Sequence, residues 1–351
     1  MSADVGAGLP VFDGANVLVT GGGGSVGRAV VERLLETNVD VVRAMDNNEP
    51  SLAALRSEVD TGDVRFLAGD VRDKERLERA MEGIDVVVHT AAMKHVDISE
   101  YNPFEAVQTN VVGLQNVVDT AIDTDVERVV YTSSDKAVNP ANTMGTTKLL
   151  GEKLVTAGNK YSGPRDLHLT SVRFGNVVGS SGSVVPLFEE QIRDGGPVTL
   201  TDDRMTRFFL TADEMVDLLL RAVELTSGGE LFVRKMTAMR IEDLASAMID
   251  ELAPRYGHDP DDIDTEIVGR RVGETIHEEI MTEREADRAR ETDDLYIVPP
   301  DTESDQYLDY EPPDRSEPAT ELVRSSADAP VLDRDEIVPF LTAADALEGT
   351  R

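Results

Sequence analysis

The chain of 351 residues contains no cysteine, which excludes disulfides, thiolate metal sites and cysteine nucleophiles. It has no apolar run near the roughly 18 residues a membrane span needs, and its N-terminus lacks the charged-then-apolar order of a signal segment. Basic residues are scarce, 34 against 68 acidic ones, for a formal charge of −34. Such a field repels nucleic acid and anionic membrane, so neither is expected as a partner and the cytoplasm is the expected setting. Lysine occurs only at positions 74, 94, 136, 148, 153, 160 and 235. An ordinary acidic surface is one reading of this balance. The preferred one is a halophile's cytosol, where dense carboxylates keep a surface hydrated in concentrated salt. The lysines that remain are then informative.

The first feature present is a buried-strand pattern, Asn16-Val-Leu-Val-Thr20, followed by Gly21-Gly-Gly-Gly-Ser25-Val26-Gly27 and a helix expected over 28–36. Glycines at 21, 24 and 27 permit a tight turn, close approach of backbone to a pyrophosphate and close helix–strand packing, with the helix N-terminus facing the anion. A second strand ends at Asp46, 19 residues after Gly27, where a carboxylate meets ribose hydroxyls. That acid disfavours a 2′-phosphate, so NAD(H) is preferred over NADP(H); Arg43 and Asn47 keep the second open. Asp70 and Val71 end a third strand where an adenine is expected, or form an ordinary strand-end turn. The fourth strand, Ile84–His89, exits into Ala91 and Ala92, small enough for a cofactor to lie against the backbone. His89 is expected to pack at its strand end and His95 to line a pocket. Asn102-Pro103 opens a long helix through Val118 containing the polar pair Thr109-Asn110.

Strands alternating with helices after a glycine turn predict an α/β fold, a Rossmann-type doubly wound parallel sheet with a smaller C-terminal substrate-binding lobe. The expected division is a dinucleotide-binding domain over 1–175, rejoined by a strand near 230–235, and a lobe from 176–229 and 236–299. An acidic extended arm over 300–351 ends in a short helix and docks. Residues 1–13 read as a loose lead.

In a parallel sheet the chemistry lies beyond the carboxyl ends of the strands, which directs attention to Tyr131–Lys148. An apolar strand over 126–132 releases Ser133, Ser134, Asp135 and Lys136 into a loop, and a helix then carries Met144 and Lys148, four residues apart and so on one face. A hydroxyl, a carboxylate and two amines supply candidate donors, acids and bases. The plainer alternative is a strand-end loop with a surface Asp–Lys pair.

Together, the glycine turn, Ala91-Ala-Met-Lys-His95, Thr109-Asn110, Ser133-Ser-Asp-Lys-Ala-Val-Asn-Pro140, Arg173-Phe-Gly-Asn-Val-Val-Gly-Ser180, Met205-Thr-Arg-Phe-Phe209 and Gly273-Glu274 resemble the extended short-chain dehydrogenase/reductases. More narrowly, they resemble the inverting UDP-N-acetylglucosamine 4,6-dehydratases of polysaccharide biosynthesis, in the subgroup with Met in the tyrosine slot of Tyr-x-x-x-Lys. Thr275 stands where the family's Arg-Pro-Gly-Glu-Lys has lysine, Ser134 replaces a threonine, and the helices that precede this domain in long membrane-bound members have no counterpart.

The resemblance implies dehydration of a UDP-sugar to a 4-keto-6-deoxy product with no net redox change and no metal. It implies Lys136 as the base at C5, Asp135 as the acid for the leaving 6-hydroxyl, Ser134 on the sugar and Lys148 on the nicotinamide ribose. Met144 cannot accept the 4-hydroxyl proton; Asp135 or an ordered water would. A neutral Lys136 requires desolvation or a nearby cation, with Lys148 the expected one. Lys94 and Asn110 join the cofactor set. Lys94, Asn176, the Ser183-Val184 lid, Arg207, Arg271 and Glu274 form the expected substrate site, an Arg pair suiting a diphosphate unless both are ion-paired. A homo-oligomer is expected. The alternatives are a UDP-sugar C4 epimerase, a C3 or C5 epimerising enzyme, and a non-catalytic NAD- or nucleotide-sugar-binding protein.

Overall fold

In the computed structural model, which describes residues 9–59, 62–180, 182–301, 310–314 and 316–347, the β-branched runs become the strands of one large sheet. Residues 1–8 of the expected lead, and 302–309, 315 and 348–351 of the expected arm, lie outside the described residues. The first six strands are β1 (Asn16–Thr20), β2 (Val41–Asp46), β3 (Val64–Ala68), β4 (Val86–His89), β5 (Arg128–Thr132) and β6 (His168–Arg173). They lie side by side in the order β3-β2-β1-β4-β5-β6, all parallel. Leu231–Arg234 extends the parallel set beside β6, and Leu295–Val298 adds to it antiparallel. The order reverses between β1 and β4, which opens the crevice where ligands bind in such sheets.

Helices bury both faces of the sheet. Ser25–Leu34 and Ala212–Leu225 cover one face through Val30, Val31, Leu34, Met215 and Leu219; Lys74–Met81, Gly113–Asp123 and Thr143–Tyr161 cover the other through Leu77, Leu114, Val117 and Val155. A separate apolar cluster holds the C-terminal lobe, where Val184–Arg193 and Ile241–Tyr256 pack with Arg334–Ala343 through Phe188, Leu244, Ile337 and Leu341. The last helix therefore has a hydrophobic seat.

The single long helix expected after Asn102-Pro103 is interrupted. Pro103–Val107 passes into a wider π turn at Gln108–Val112 and then into Gly113–Asp123. The polar pair explains the break. Asn110 is buried, its side chain exchanges two hydrogen bonds with the Met93 backbone (2.8 and 3.0 Å) and donates a third to Thr147 Oγ1 at 2.9 Å. Satisfying those bonds draws one extra residue into the turn.

Candidate functional site

The cofactor-side residues are built on backbone geometry. Gly21 adopts φ +72°, and a Cβ there would stand 2.7 Å from the Ala91 nitrogen. A Cβ on Gly27 would stand 2.2 Å from the Gly21 carbonyl oxygen. Both positions thus exclude any side chain, and the loop delivers Gly24 to the start of the Ser25–Leu34 helix, whose N-terminal end attracts an anion. The resulting cleft of about 700 Å³ is lined by Gly21, Gly24, Ser25, Val26, Gly27, Asp46, Asn47, Asp70, Val71, Ala91, Ala92, Lys94 and His95. Asp46 closes one end; its two carboxylate oxygens accept from the Gly23 and Asn48 nitrogens at 3.0 and 2.8 Å. The Arg72 guanidinium beside Asp70 holds that carboxyl below its ordinary range, helped by Asn47. Asn110 lies behind the wall, fixing the Met93 backbone, not lining it.

His89 and Thr20 meet at 2.7 Å. Burial first, and then the Lys148 charge, push the His89 imidazole down to about 3, so it is neutral and packs at the strand end.

The other group of residues gathers at the end of β5. Asn142 caps the Thr143–Tyr161 helix, its Oδ1 accepting from the Gly145 nitrogen at 2.8 Å. A Cβ on Gly145 would stand 2.0 Å from the Lys136 carbonyl oxygen. This glycine lets the helix press against the loop, burying Met144 and Lys148 beside it. Lys148 donates to the Thr132 carbonyl at 2.7 Å and lies 4.9 Å from the Tyr131 ring centre. Burial pushes its ammonium down to about 8.

Asp135 is 1% exposed, and its Oδ1 accepts from the Ser134 hydroxyl (2.7 Å), the Lys136 nitrogen (2.8 Å) and the Lys136 ammonium (3.0 Å). Its Oδ2 is buried with no hydrogen-bond partner among the described residues. The expected cation beside Lys136 is not Lys148. Two carboxylates face it, Asp135 and, at 3.6 Å, Glu278, with Arg207 behind. Burial opposes the Lys136 charge, yet those carboxylates outweigh it and Arg207 and hold the ammonium above its ordinary range.

The C-terminal lobe meets this loop from the other side. Arg207 donates to the Thr206, Thr275 and Ile276 carbonyls and lies 3.4 Å from Glu278. Glu274 accepts from the Arg271 nitrogen at 2.9 Å, and Arg271 itself is exposed, so the two arginines do not form one fork. Ser183 heads the Val184–Arg193 helix with its hydroxyl buried and unpartnered among the described residues. Gly182 before it touches the His95 ring: a Cβ would stand 2.4 Å from Cε1. His95 therefore marks where the lid meets the cleft. Asn176 sits on a short strand beside Phe209.

Beneath the loop lies a network that sequence reasoning missed. Ser133 donates to Glu152 at 2.5 Å. Arg173, 1% exposed, forks onto Glu152 at 2.6–2.7 Å and Glu285 at 2.9 Å, and donates to the Ile280 carbonyl. Burial works against Glu285's charge, but Arg173 prevails and pulls its carboxyl down to about 2. Glu152 follows Lys148 by one helical turn, the only local hint available; Glu278 and Glu285 sit in an acidic stretch that looks like solvated surface.

This fold and cleft define a dinucleotide-binding protein of the extended short-chain dehydrogenase/reductase class. The family model for "polysaccharide biosynthesis protein" matches residues 17–300, and the chain belongs to that family. It is 50% identical over 284 residues to an uncharacterized membrane protein of Methanocaldococcus jannaschii, covering 81% of this chain and 85% of the relative. No helix among the described residues of this chain is long and apolar enough to cross a membrane. It is 40% identical over 304 residues (84% and 87% of the two chains) to the inverting UDP-N-acetylglucosamine 4,6-dehydratase of Campylobacter jejuni. The UDP-glucose 4-epimerase of Rickettsia conorii is 36% identical (86% and 87%). Among solved structures, Pen from Bacillus thuringiensis superposes with TM-score 0.87 at 38% identity, covering 95% of this chain and 98% of that one. The dTDP-glucose 4,6-dehydratase of Streptomyces venezuelae, with NAD bound, gives 0.66 at 26% identity (74% and 86%).

Proposed function

We propose that the chain is an NAD-dependent UDP-sugar 4,6-dehydratase, acting on UDP-N-acetylglucosamine to give a UDP-4-keto-6-deoxy sugar. The observation that carries this reading is the Ser134-Asp135-Lys136 cluster: an amine and a carboxylate 3.0 Å apart, with a second carboxylate oxygen buried and unspent among the described residues. A base and an acid are what removal of water across C5 and C6 requires.

The residues present fit a dinucleotide. Gly21 and Gly27 leave the cradle that a Cβ would fill, and Asp46 offers a carboxylate where a ribose hydroxyl is expected. When bound, NAD supplies transient oxidation at C4 and the compensating reduction at C6. The chain's own groups do the rest. Lys136 takes the C5 proton and gives one back to C5 as C6 is reduced, Asp135 gives a proton to the departing 6-hydroxyl, and Ser134 orients the sugar. Lys148, poised at about 8, holds the nicotinamide ribose and lowers the local proton affinity. Met144, in the subgroup's tyrosine slot, packs and carries no proton; the 4-hydroxyl proton goes to Asp135 or an ordered water. Lys94, Asn176, Ser183, Val184, Arg207, Arg271 and Glu274 are assigned to the substrate side. The similarity to the Rickettsia epimerase favours C4 epimerisation as the second reading.

Incubation with UDP-N-acetylglucosamine and NAD⁺ decides. Product lighter by one water supports dehydration, product of unchanged mass at altered C4 supports the epimerase, and no product leaves a binding protein.

The setting we assign is the cytoplasm of a halophile, because the charge of −34 is spread along the whole chain. We also assign a homo-oligomer. Tyr101 and Phe104 are 88% and 85% exposed beside Ile98, Val107 and Leu150, an apolar patch of the kind that pairs with a second copy. Sedimentation at molar KCl tests that assignment, and a monomer at micromolar concentration would remove it.

A further inference from the structure

The proposed chemistry leaves a conflict in the protonation of its two central groups. Lys136 must be neutral to accept the C5 proton, and Asp135 must be protonated to donate one. One proton transfer along their 3.0 Å hydrogen bond satisfies both: the Nζ–H bond breaks, an O–H bond forms on Asp135, and an ion pair becomes an amine beside a carboxylic acid. Asp135, protonated in this way, is not free to take the 4-hydroxyl proton as well, so that proton goes to an ordered water. What decides where the Asp135–Lys136 proton sits is the charge around the pair. Among the described residues, the charged side chains that act most strongly on Lys136 are Asp135 on its own loop, Glu278 from the C-terminal lobe at 3.6 Å, and Arg207 behind Glu278 at 3.4 Å from the carboxylate.

Glu278 is 7% exposed, and its position is fixed by atoms other than its side chain. Its nitrogen donates to Ser326 Oγ at 3.0 Å and its carbonyl accepts from the Ser326 nitrogen at 2.8 Å. Ser326 is fully buried and held in turn by Thr206 at 2.7 Å. Through Ser326, the docked C-terminal arm thus holds Glu278 of the lobe so that its carboxylate meets the Asp135–Lys136 pair. A loop that served only to close the lobe would not require a buried acid there, because burying an unneeded charge is costly.

We propose that Glu278 is a positioning residue that sets the protonation of Lys136: its carboxylate keeps the proton on the amine, and Arg207, by neutralising Glu278, limits that hold so that the proton can pass to Asp135. This assignment rests on the proposed dehydratase reading for its catalytic meaning, but not for its test. A charge at this distance shifts a neighbour by about 1–3 pH units, and the opposing Arg207 places the expectation at the lower end.

The test measures Lys136 directly. The full chain with NAD⁺ is trace-acetylated with acetic anhydride from pH 6 to 11, and acetylation of Lys136 is read by peptide mass spectrometry, with Lys153 as internal reference. In Glu278→Gln the midpoint of Lys136 reactivity should fall by about one pH unit, so Lys136 becomes roughly tenfold more reactive below it. Glu278→Asp should stay near the unmodified protein. Arg207→Gln should move the midpoint the opposite way, which keeps the test intact if Glu278→Gln does not fold. Midpoints that coincide in the folded variants and the unmodified protein would overturn the assignment. A shifted midpoint in a protein that never dehydrates the sugar would sink the activity reading and leave Glu278's control of Lys136 standing.

Discussion

The two halves of the site are made in different ways. The cofactor half is shaped by backbone: glycines with no room for a side chain, a helix N-terminus, and a cleft of about 700 Å³ whose lining residues all fall between 21 and 109. The half around Asp135 and Lys136 is shaped by charge. Its key groups are ion-paired across the molecule, Lys136 with Glu278, Arg173 with Glu152 and Glu285. The first half is a mould waiting for a ligand. The second is a balanced set of charges that a substrate must unbalance. A mould tolerates salt and fails when one atom is added, whereas a charge balance keeps its shape but fails when one partner is removed.

Substitutions in both halves, together with changes of pH and salt, would break or sharpen that contrast. The largest effect is expected at Lys136. A positioned base contributes about 10²–10⁴-fold, so Lys136→Ala should lower kcat by that much while NAD⁺ still binds by titration. Met144→Ala, which removes packing alone, should retain measurable turnover. Equal losses in the two would show that Met144 shapes the site as critically as the amine. Next is Arg173→Met, which strands Glu152 and Glu285 in the interior. Breaking a buried pair costs about 3–5 kcal/mol, and denaturant unfolding should show a loss of that order; a change below about 1 kcal/mol would mean that water reaches the network.

The same network predicts an acid limit. Glu285 is depressed to about 2 in the fold, from an ordinary value near about 4.3. A lowered carboxyl stabilises the native state above its unfolded value, and the contribution is lost as pH falls from about 4.3 toward about 2. Glu285→Gln should flatten that part of the stability–pH curve, and an unchanged curve would assign the acid limit to other carboxylates.

On the cofactor side, Asp46→Ala should weaken NAD⁺ by about 1.5–3 kcal/mol, the range for a hydrogen bond to a charged group, and narrow its advantage over NADP⁺. Stronger NADP⁺ binding by the unmodified protein would contradict that role for Asp46, since Arg43 donates to the Ala80 and Glu82 carbonyls and does not line the cleft. The smallest effect per group is electrostatic. With a charge of −34 and a Debye length of about 3 Å at 1 M salt, the thermal midpoint should climb from low to molar KCl. A flat midpoint would remove the halophile setting and leave the enzyme reading intact.

The same contrast explains what could be read from sequence. Gly21, Gly24, Gly27 and Asp46 are legible because their geometry is local: a strand, a turn and a helix within 30 residues. The doubly wound α/β class follows from the alternation of elements, whereas the strand order is visible only in the fold. The interrupted helix was not legible, because the π turn at Gln108–Val112 answers to Asn110's bonds with Met93 and Thr147, partners that only the fold brings near. Glu278 was hidden for the stronger reason that it lies 142 residues from Lys136 in a chain where acids are everywhere. Lys136 itself was visible by rarity, but its surroundings were inferred with the wrong sign. The nearest hint was Lys148 on the neighbouring helix, while the carboxylate that faces it arrives from the far lobe.

The most direct measurement of the central claim follows the C5 hydrogen. In D₂O, with NAD⁺ and UDP-N-acetylglucosamine, the unmodified protein should release a product lighter by one water and carrying deuterium at C5, because the amine that removes that proton exchanges with solvent. Dehydrated product without C5 deuterium, or sugar returned at its original mass and unlabelled, would contradict proton abstraction by the Asp135–Lys136 pair.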